Sequence, residues 1–211
     1  MARYRGPSCK LCRQEGEQLF LKGSRCYTPK CAIDRRPDQK PGIHGKGRRS
    51  KFSEFGIRLR EKQKVKRIYG LTENQFRNYF EIAEKIKGVT GSILITLLER
   101  RLDNVIYRLG FASSRDQARQ LVWHGHIKVN GRKVDIPSFQ VDEGSTIELK
   151  EKSKKLSSIN NAMEMLERRG VPQWLDFDQD NYKGVVNKLP QREDVTVPID
   201  EQLIVEFYSR V

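Results

Sequence analysis

Apolar and polar positions change rhythm twice along this chain. Residues 1–34 hold no sustained period, and residues 35–51, RRPDQKPGIHGKGRRSK, have Ile43 as their only aliphatic side chain. Such a segment cannot bury enough apolar area to fold alone, so an extended arm that orders on a partner is expected. A helical period begins near Ser53. Phe55, Leu59, Lys62, Lys66 and Tyr69 mark a weakly amphipathic, basic helix that Gly70 ends. Thr72 and Gln75 form a capping-box pair ahead of the stripe Phe76, Tyr79, Phe80, Ala83 and Ile86, and Gly88 stops it. A third helix is predicted from Thr90 or Ser92, with Leu94, Leu97, Leu98, Leu102, Val105, Ile106 and Leu109 inward and Gly110 just past its end. Ser114 with Gln117 caps a short fourth helix that buries Ala118, Leu121 and Val122 before Gly125.

The period then shortens to two. Ile127 and Val129 alternate up to Asn130-Gly131, a strong hairpin turn signal, and Val134 and Ile136 resume the strand. A further strand is expected at Thr146–Lys150, a helix at residues 158–169, short strands at Trp174–Phe177 and Lys183–Lys188, and a last helix capped by Asp200 that buries Leu203, Ile204 and Phe207. There is no internal repeat. The fold class is α+β, divided into residues 1–51, 52–91, 92–157 (two helices plus a small twisted antiparallel sheet) and 158–211.

Charge sharpens this picture. Hydrophobic residues make up 36% of the 211 positions and charged residues 32%, with a net charge of +14. That exceeds what solubility needs and would oppose folding by self-repulsion without a polyanion, foremost nucleic acid. The excess is local: +10 over residues 1–51, +8 over 52–155 and −4 over 156–211. No stretch approaches the roughly 18 apolar residues that span a bilayer, and no apolar run follows the basic N-terminus as in a signal peptide. No membrane partner and no small-molecule substrate are expected, and the compartment is a reducing cytoplasm, where cysteines stay thiols or bind metal.

Cys9, Cys12, Cys26 and Cys31 form two close pairs, C-x2-C and C-x4-C, thirteen residues apart. That spacing suits one structural zinc ion in an N-terminal knuckle, with an iron–sulfur cluster as the alternative, since thiolates alone do not name the metal. In the basic arm, Arg35, Arg36, His44, Lys46, Arg48, Arg49 and Lys51 are expected to meet phosphates. Arg58, Arg60, Lys62, Lys64 and Arg67 crowd one helix, where Arg60, Lys64 and Arg67 share a face suited to an RNA groove. No phosphate-binding loop, nucleophile elbow or paired-carboxylate motif is present, and no enzyme activity is expected.

The segments Leu98-Glu-Arg-Arg-Leu-Asp-Asn-Val-Ile-Tyr-Arg-Leu-Gly110, Ser114-Arg-Asp-Gln-Ala-Arg119 and Leu121-Val-Trp-His-Gly-His-Ile-Lys-Val-Asn-Gly131 resemble the small RNA-binding domain first named for ribosomal small-subunit protein four. The opening Met1 to Pro7, the segment Pro41 to Gly45, the run Arg58 to Gln63 and the ending Glu201 to Arg210 extend the likeness to the whole chain. The sequence thus resembles the bacterial family of that protein, in its zinc-carrying form. The resemblance implies an RNA-binding domain inserted into a helical domain, onto which the C-terminal segment packs back. It implies a structural constituent of the bacterial small subunit that binds the 5′ domain of 16S ribosomal RNA and nucleates 30S assembly. It also implies neighbours in small-subunit proteins three and five where messenger RNA enters, a contribution to translational accuracy, and messenger RNA as a further partner. Carried onto matching positions, the expected RNA contacts are Arg3, Ser114, Arg115, Arg119, His124, Gly125, His126 and Lys128. The rival readings are an RNA-modifying enzyme using this domain as an adaptor, and a zinc-dependent nucleic-acid-binding regulator.

Overall fold

The computed structural model describes residues 4–45, 47, 51–195 and 197–209. The chain divides into two compact units. The first takes the residues up to Gly91 together with those from Pro198 onward, and the second takes Ser92–Val197.

The first unit opens with short helices where no period was legible: α1 (Ser8–Glu15), a 3-10 turn at Gly23–Tyr27 and α2 (Ala32–Arg35). The main helices follow. In α3 (Glu54–Ile68) the Ser53 side chain accepts the Gly56 N–H, so the first turn is capped. In α4 (Glu73–Lys85) the capping box of Thr72 and Gln75 forms as expected, and Phe76, Phe80 and Ala83 are buried. Ile86 lies beyond the end of α4 and is 45% exposed, because the chain has already turned extended there.

In the second unit, α5 (Thr90–Glu99) and α6 (Leu102–Arg108) replace the single helix expected over this stretch. Long-range bonds make the break. Arg101 bridges to Gln140, the Leu102 and Asp103 N–H groups donate to the Phe139 and Pro137 carbonyls, and Arg100 donates to the Val141 carbonyl. The first turn of α6 is thereby satisfied by a distant loop in place of a continuing helix. Helix α7 (Arg115–Trp123) follows, with the Ser114 cap as expected.

Strands β1 (Ile127–Val129), β2 (Arg132–Lys133) and β3 (Thr146–Leu149) come next, and the β1–β2 hairpin closes through Asn130 and Gly131 in left-handed conformations. The second hairpin strand is shorter than Val134 and Ile136 implied, and Ile136 is 56% exposed. Helices α8 (Ser157–Glu164) and α9 (Leu166–Arg169) lead to β4 (Leu175–Asp178) and β5 (Lys183–Val186). The sheet is antiparallel in the order β2-β1-β3-β5-β4. The boundary expected at residue 158 is therefore corrected to 197, since β5 pairs directly with β3 and completes the same sheet. One core joins Leu102, Ile106, Leu121, Val122, Ile127, Ile147, Ile159, Trp174 and Val186.

The chain returns to the first unit as α10 (Glu201–Ser209), where Asp200 accepts the Leu203 N–H. Phe207 and Tyr208 then meet Phe55 and Phe80 at ring centroid distances of 5.6 and 4.4 Å.

Candidate nucleic-acid interface

Two stretches concentrate the expected RNA-contacting cations, and the structure uses them differently. On α3, Arg60, Lys64 and Arg67 do share a face, but that face meets acids of the N-terminal segment. Arg60 lies 3.5 Å from Glu15, Lys64 lies 3.5 Å from Glu17 and 2.9 Å from Glu61, and Arg67 pairs with Glu15. The opposite side is equally committed. Lys62, 4% exposed, donates to Glu73 at 2.6 Å and sits 4.5 Å over the Phe207 ring, Lys66 shares Glu73, and Arg58 holds Glu206 at 2.7 Å. Glu61 lies within the run, but Glu15, Glu17 and Glu206 lie far away in sequence, so composition within the run could not reveal most of the pairing.

In the second unit, α6 and α7 are joined by buried polar groups. Asp103 accepts from Arg101 at 2.8 Å and from Arg119 at 2.7 Å, and all three are buried. Glu99, fully buried, accepts from Asn104 at 2.7 Å and Arg108 at 2.8 Å, and Asn104 in turn accepts from Arg115 at 2.8 Å. Arg115 and Arg169 each lie over the Tyr107 ring, at 4.5 and 4.4 Å. Burial alone would raise the Tyr107 pKa, but the two adjacent guanidinium groups outweigh it and hold it below its ordinary value.

Arg119 is thus an internal tie, 7% exposed, that holds α7 against α6 through Asp103. The Ser114 hydroxyl is likewise engaged as the α7 cap.

The exposed side of the unit lies beyond α7. His124 is exposed, Gly125 takes φ +68°, and half-buried His126 meets the Ser153 hydroxyl through Nδ1 at 2.9 Å. Burial, then the neighbouring charges of His124 and Lys150, lower the His126 pKa. Lys128 on β1 stands opposite Lys133 on β2, and Lys133 is itself more than half exposed. Lys152 and Lys155 are also exposed. Sequence reading overlooked Lys133 and Trp123. The Asn130-Gly131 turn fixes the hairpin register, which sets Lys133 across from Lys128, and Trp123 is out of phase with the buried stripe Ala118, Leu121 and Val122.

In the arm, Arg35, Arg36, His44 and Lys51 are exposed. Arg3, Lys46, Arg48 and Arg49 lie outside the described residues. Gly45 closes a turn with its carbonyl accepting from the Lys40 N–H, and a side chain there would collide with the Lys40 backbone.

The four cysteines are free thiols; Cys12, Cys26 and Cys31 are buried and Cys9 is partly so. Burial pushes the Cys12 thiol up to about 11, with the three other thiols adding to it. Backbone N–H groups of Leu19 and Lys22 point at the sulfurs of Cys12 and Cys26, the second at 3.3 Å. Among the described residues, no three His, Cys, Asp or Glu side chains are gathered closely enough to hold a metal ion. Among those residues too, no helix is long and apolar enough to cross a membrane.

Residues 3–99 match the ribosomal protein S4/S9 N-terminal domain family, and residues 100–147 match the S4 domain family. Curated relatives match over the whole of both chains. The small ribosomal subunit protein uS4 of Geotalea daltonii is 65% identical over 210 residues, and those of Pelobacter propionicus and Geobacter sulfurreducens are 65% and 61% identical.

Proposed function

Because the chain belongs to the uS4 family of small-ribosomal-subunit proteins, we propose that it is a structural, rRNA-binding constituent of the small subunit. The observation that carries this reading is the corner from α7 to β1, where exposed His124, half-buried Lys128 and, from β2, exposed Lys133 flank a backbone fixed by its own hydrogen bonds. Phosphate contacts from Lys128, Lys133, Lys152 and Lys155 position the RNA, while Arg115, stacked on Tyr107, presents a fixed guanidinium edge. The first unit has exposed basic residues of its own in Arg35, Arg36, His44 and Lys51.

The RNA partner on this reading is the 5′ domain of 16S rRNA, bound early in 30S assembly in the cytoplasm. Small-subunit proteins three and five and the incoming messenger are neighbours, and the protein contributes to translational accuracy there. Its role is that of a scaffold, with no catalytic step. The decisive experiment titrates a 16S 5′-domain fragment against the protein, with transfer RNA and duplex DNA as competitors, across salt. A preference of about 100-fold or more that persists at high salt supports specific recognition. Equal affinities that vanish together at high salt would mean that bulk charge alone binds RNA.

Zinc belongs to the same reading. Four thiols in two pairs close in sequence, three of them buried and two facing backbone N–H groups, have the donor chemistry of a structural zinc site, and their side chains would have to draw together around the ion. Cys9, Cys12, Cys26 and Cys31 would hold it, and a thiolate-bound ion would cross-link α1 to the start of α2. Metal analysis of the purified protein tests this: one zinc per chain that is lost on Cys12→Ser supports it, and a metal-free protein of unchanged stability overturns it.

A further inference from the structure

Helix α7 buries Ala118, Leu121 and Val122 and then ends on Trp123, whose side chain is 67% exposed. The other tryptophan, Trp174, is 1% exposed in the core. A surface indole on this helix serves no packing purpose. The backbone around it is nevertheless fixed, because the Gly125 N–H donates to the Val122 carbonyl at 2.8 Å and the His126 N–H donates to the Leu121 carbonyl at 3.1 Å. With Gly125 left-handed, this is a Schellman closure, so Trp123 and His124 are presented by a rigid turn.

The rings form a row. The indole lies 5.8 Å from the His124 ring at 41°, and His124 lies 6.0 Å from His126 at 56°. The far end is anchored by the bond from His126 to Ser153, and the near end stands in solvent. Cations rim the row: the Lys133 side chain packs against Gly125, Lys128 stands across from it, and the Lys150 N–H donates to the His126 carbonyl. Two acids share the neighbourhood, Asp135 at 3.2 Å from Lys133 and Glu148 opposite Lys128.

An aromatic row open at one end with lysines beside it matches a nucleotide, which offers a flat π-face and a phosphate within one residue. A protein partner would have to match the positive charge that Asp135 and Glu148 leave unbalanced. Paired RNA hides its bases, so the ligand class is an unpaired one. We propose that Trp123 is a stacking platform for an unpaired nucleobase of structured RNA, with His124 continuing the stack and Lys133 holding the adjoining phosphate. This rests on the RNA-binding reading above.

The test compares wild-type protein with Trp123→Ala and Trp123→Phe on the 16S 5′-domain fragment and on a fully paired RNA duplex. Binding is followed by filter retention and by tryptophan emission. Trp123 is exposed, so both variants should melt with the wild type. The expected result is quenching of the Trp123 emission by the fragment, about 10- to 100-fold weaker binding for Trp123→Ala, partial retention for Trp123→Phe, and an unchanged salt slope. The duplex should not discriminate among the three. Trp123→Ala binding the fragment as tightly as wild type would overturn the stacking role while leaving the RNA-binding reading intact. Quenching produced by another protein or a second copy of the chain, but not by the fragment, would overturn it too. Failure of the wild type to bind the fragment would instead refute the reading on which the proposal rests.

Discussion

In α3 every cation from Arg58 to Arg67 meets a carboxylate, and Lys62 and Lys64 are buried. At the corner from α7 to β1 the charge is sparser; His124 stands in solvent beside the Trp123 indole, and on β2 the exposed Lys133 meets Asp135 at the surface. Charge density along a sequence thus says little about which cations face solvent; the α3 cations Arg60 and Arg67 meet a carboxylate enclosed by the fold, whereas Lys133 and its Asp135 partner both lie at the surface. The α3 run ties the first unit together, whereas the corner, on the reading proposed above, meets a polyanion.

The sharpest way to stress this contrast is inside the second unit. Asp103→Ala removes the buried carboxylate that Arg101 and Arg119 share, and should cost about 3–5 kcal/mol in urea unfolding. A loss below 1 kcal/mol would show that the network is ornamental. Lys62→Met should cost less, about 1–2 kcal/mol, because Glu73 is partly exposed and its pair is screened. It should also leave the salt slope of RNA binding unchanged; a slope that falls by a full unit would break the comparison.

Glu73 adds a pH signature. Burial, the largest single influence, pushes its carboxyl up, but hydrogen bonds from Lys62 and Lys66 and their charges outweigh it and hold the carboxyl below its ordinary value. Its folded pKa lies below its unfolded one, so this stabilisation is present above the ordinary carboxylate range and lost as pH falls through the folded value. Urea midpoints measured downward from neutral pH should drop less for Glu73→Gln than for wild type. The smallest stability effect belongs to the corner: Lys133→Ala should shift stability by no more than about 0.5 kcal/mol while lowering the RNA salt slope by about one unit.

Much of the local architecture was legible because it is written in short-range chemistry. Thr72 with Gln75, Ser114 with Gln117, Asn130-Gly131 and Asp200 each act on backbone within a few residues, and each formed its cap or turn. What stayed hidden depends on distant partners. The break at Arg100 and Arg101 is set by residues 137–142, and the pairing of β5 with β3 joins segments some forty residues apart. Among the expected RNA contacts, Arg119 and Lys128 look alike in sequence. Only the position of Asp103 turns one inward, while Lys128 lies at the sheet surface beside Lys133.

The division of the chain also sets an order of events. The first unit begins at the N-terminus but needs α10, whose Phe207 and Tyr208 pack against Phe55 and Phe80. All of Ser92–Val197 lies between them. A chain synthesised from its N-terminus therefore holds every residue of the second unit before it holds those that complete the first. The corner from α7 to β1 can be fully formed while α3 and α4 still await their last helix.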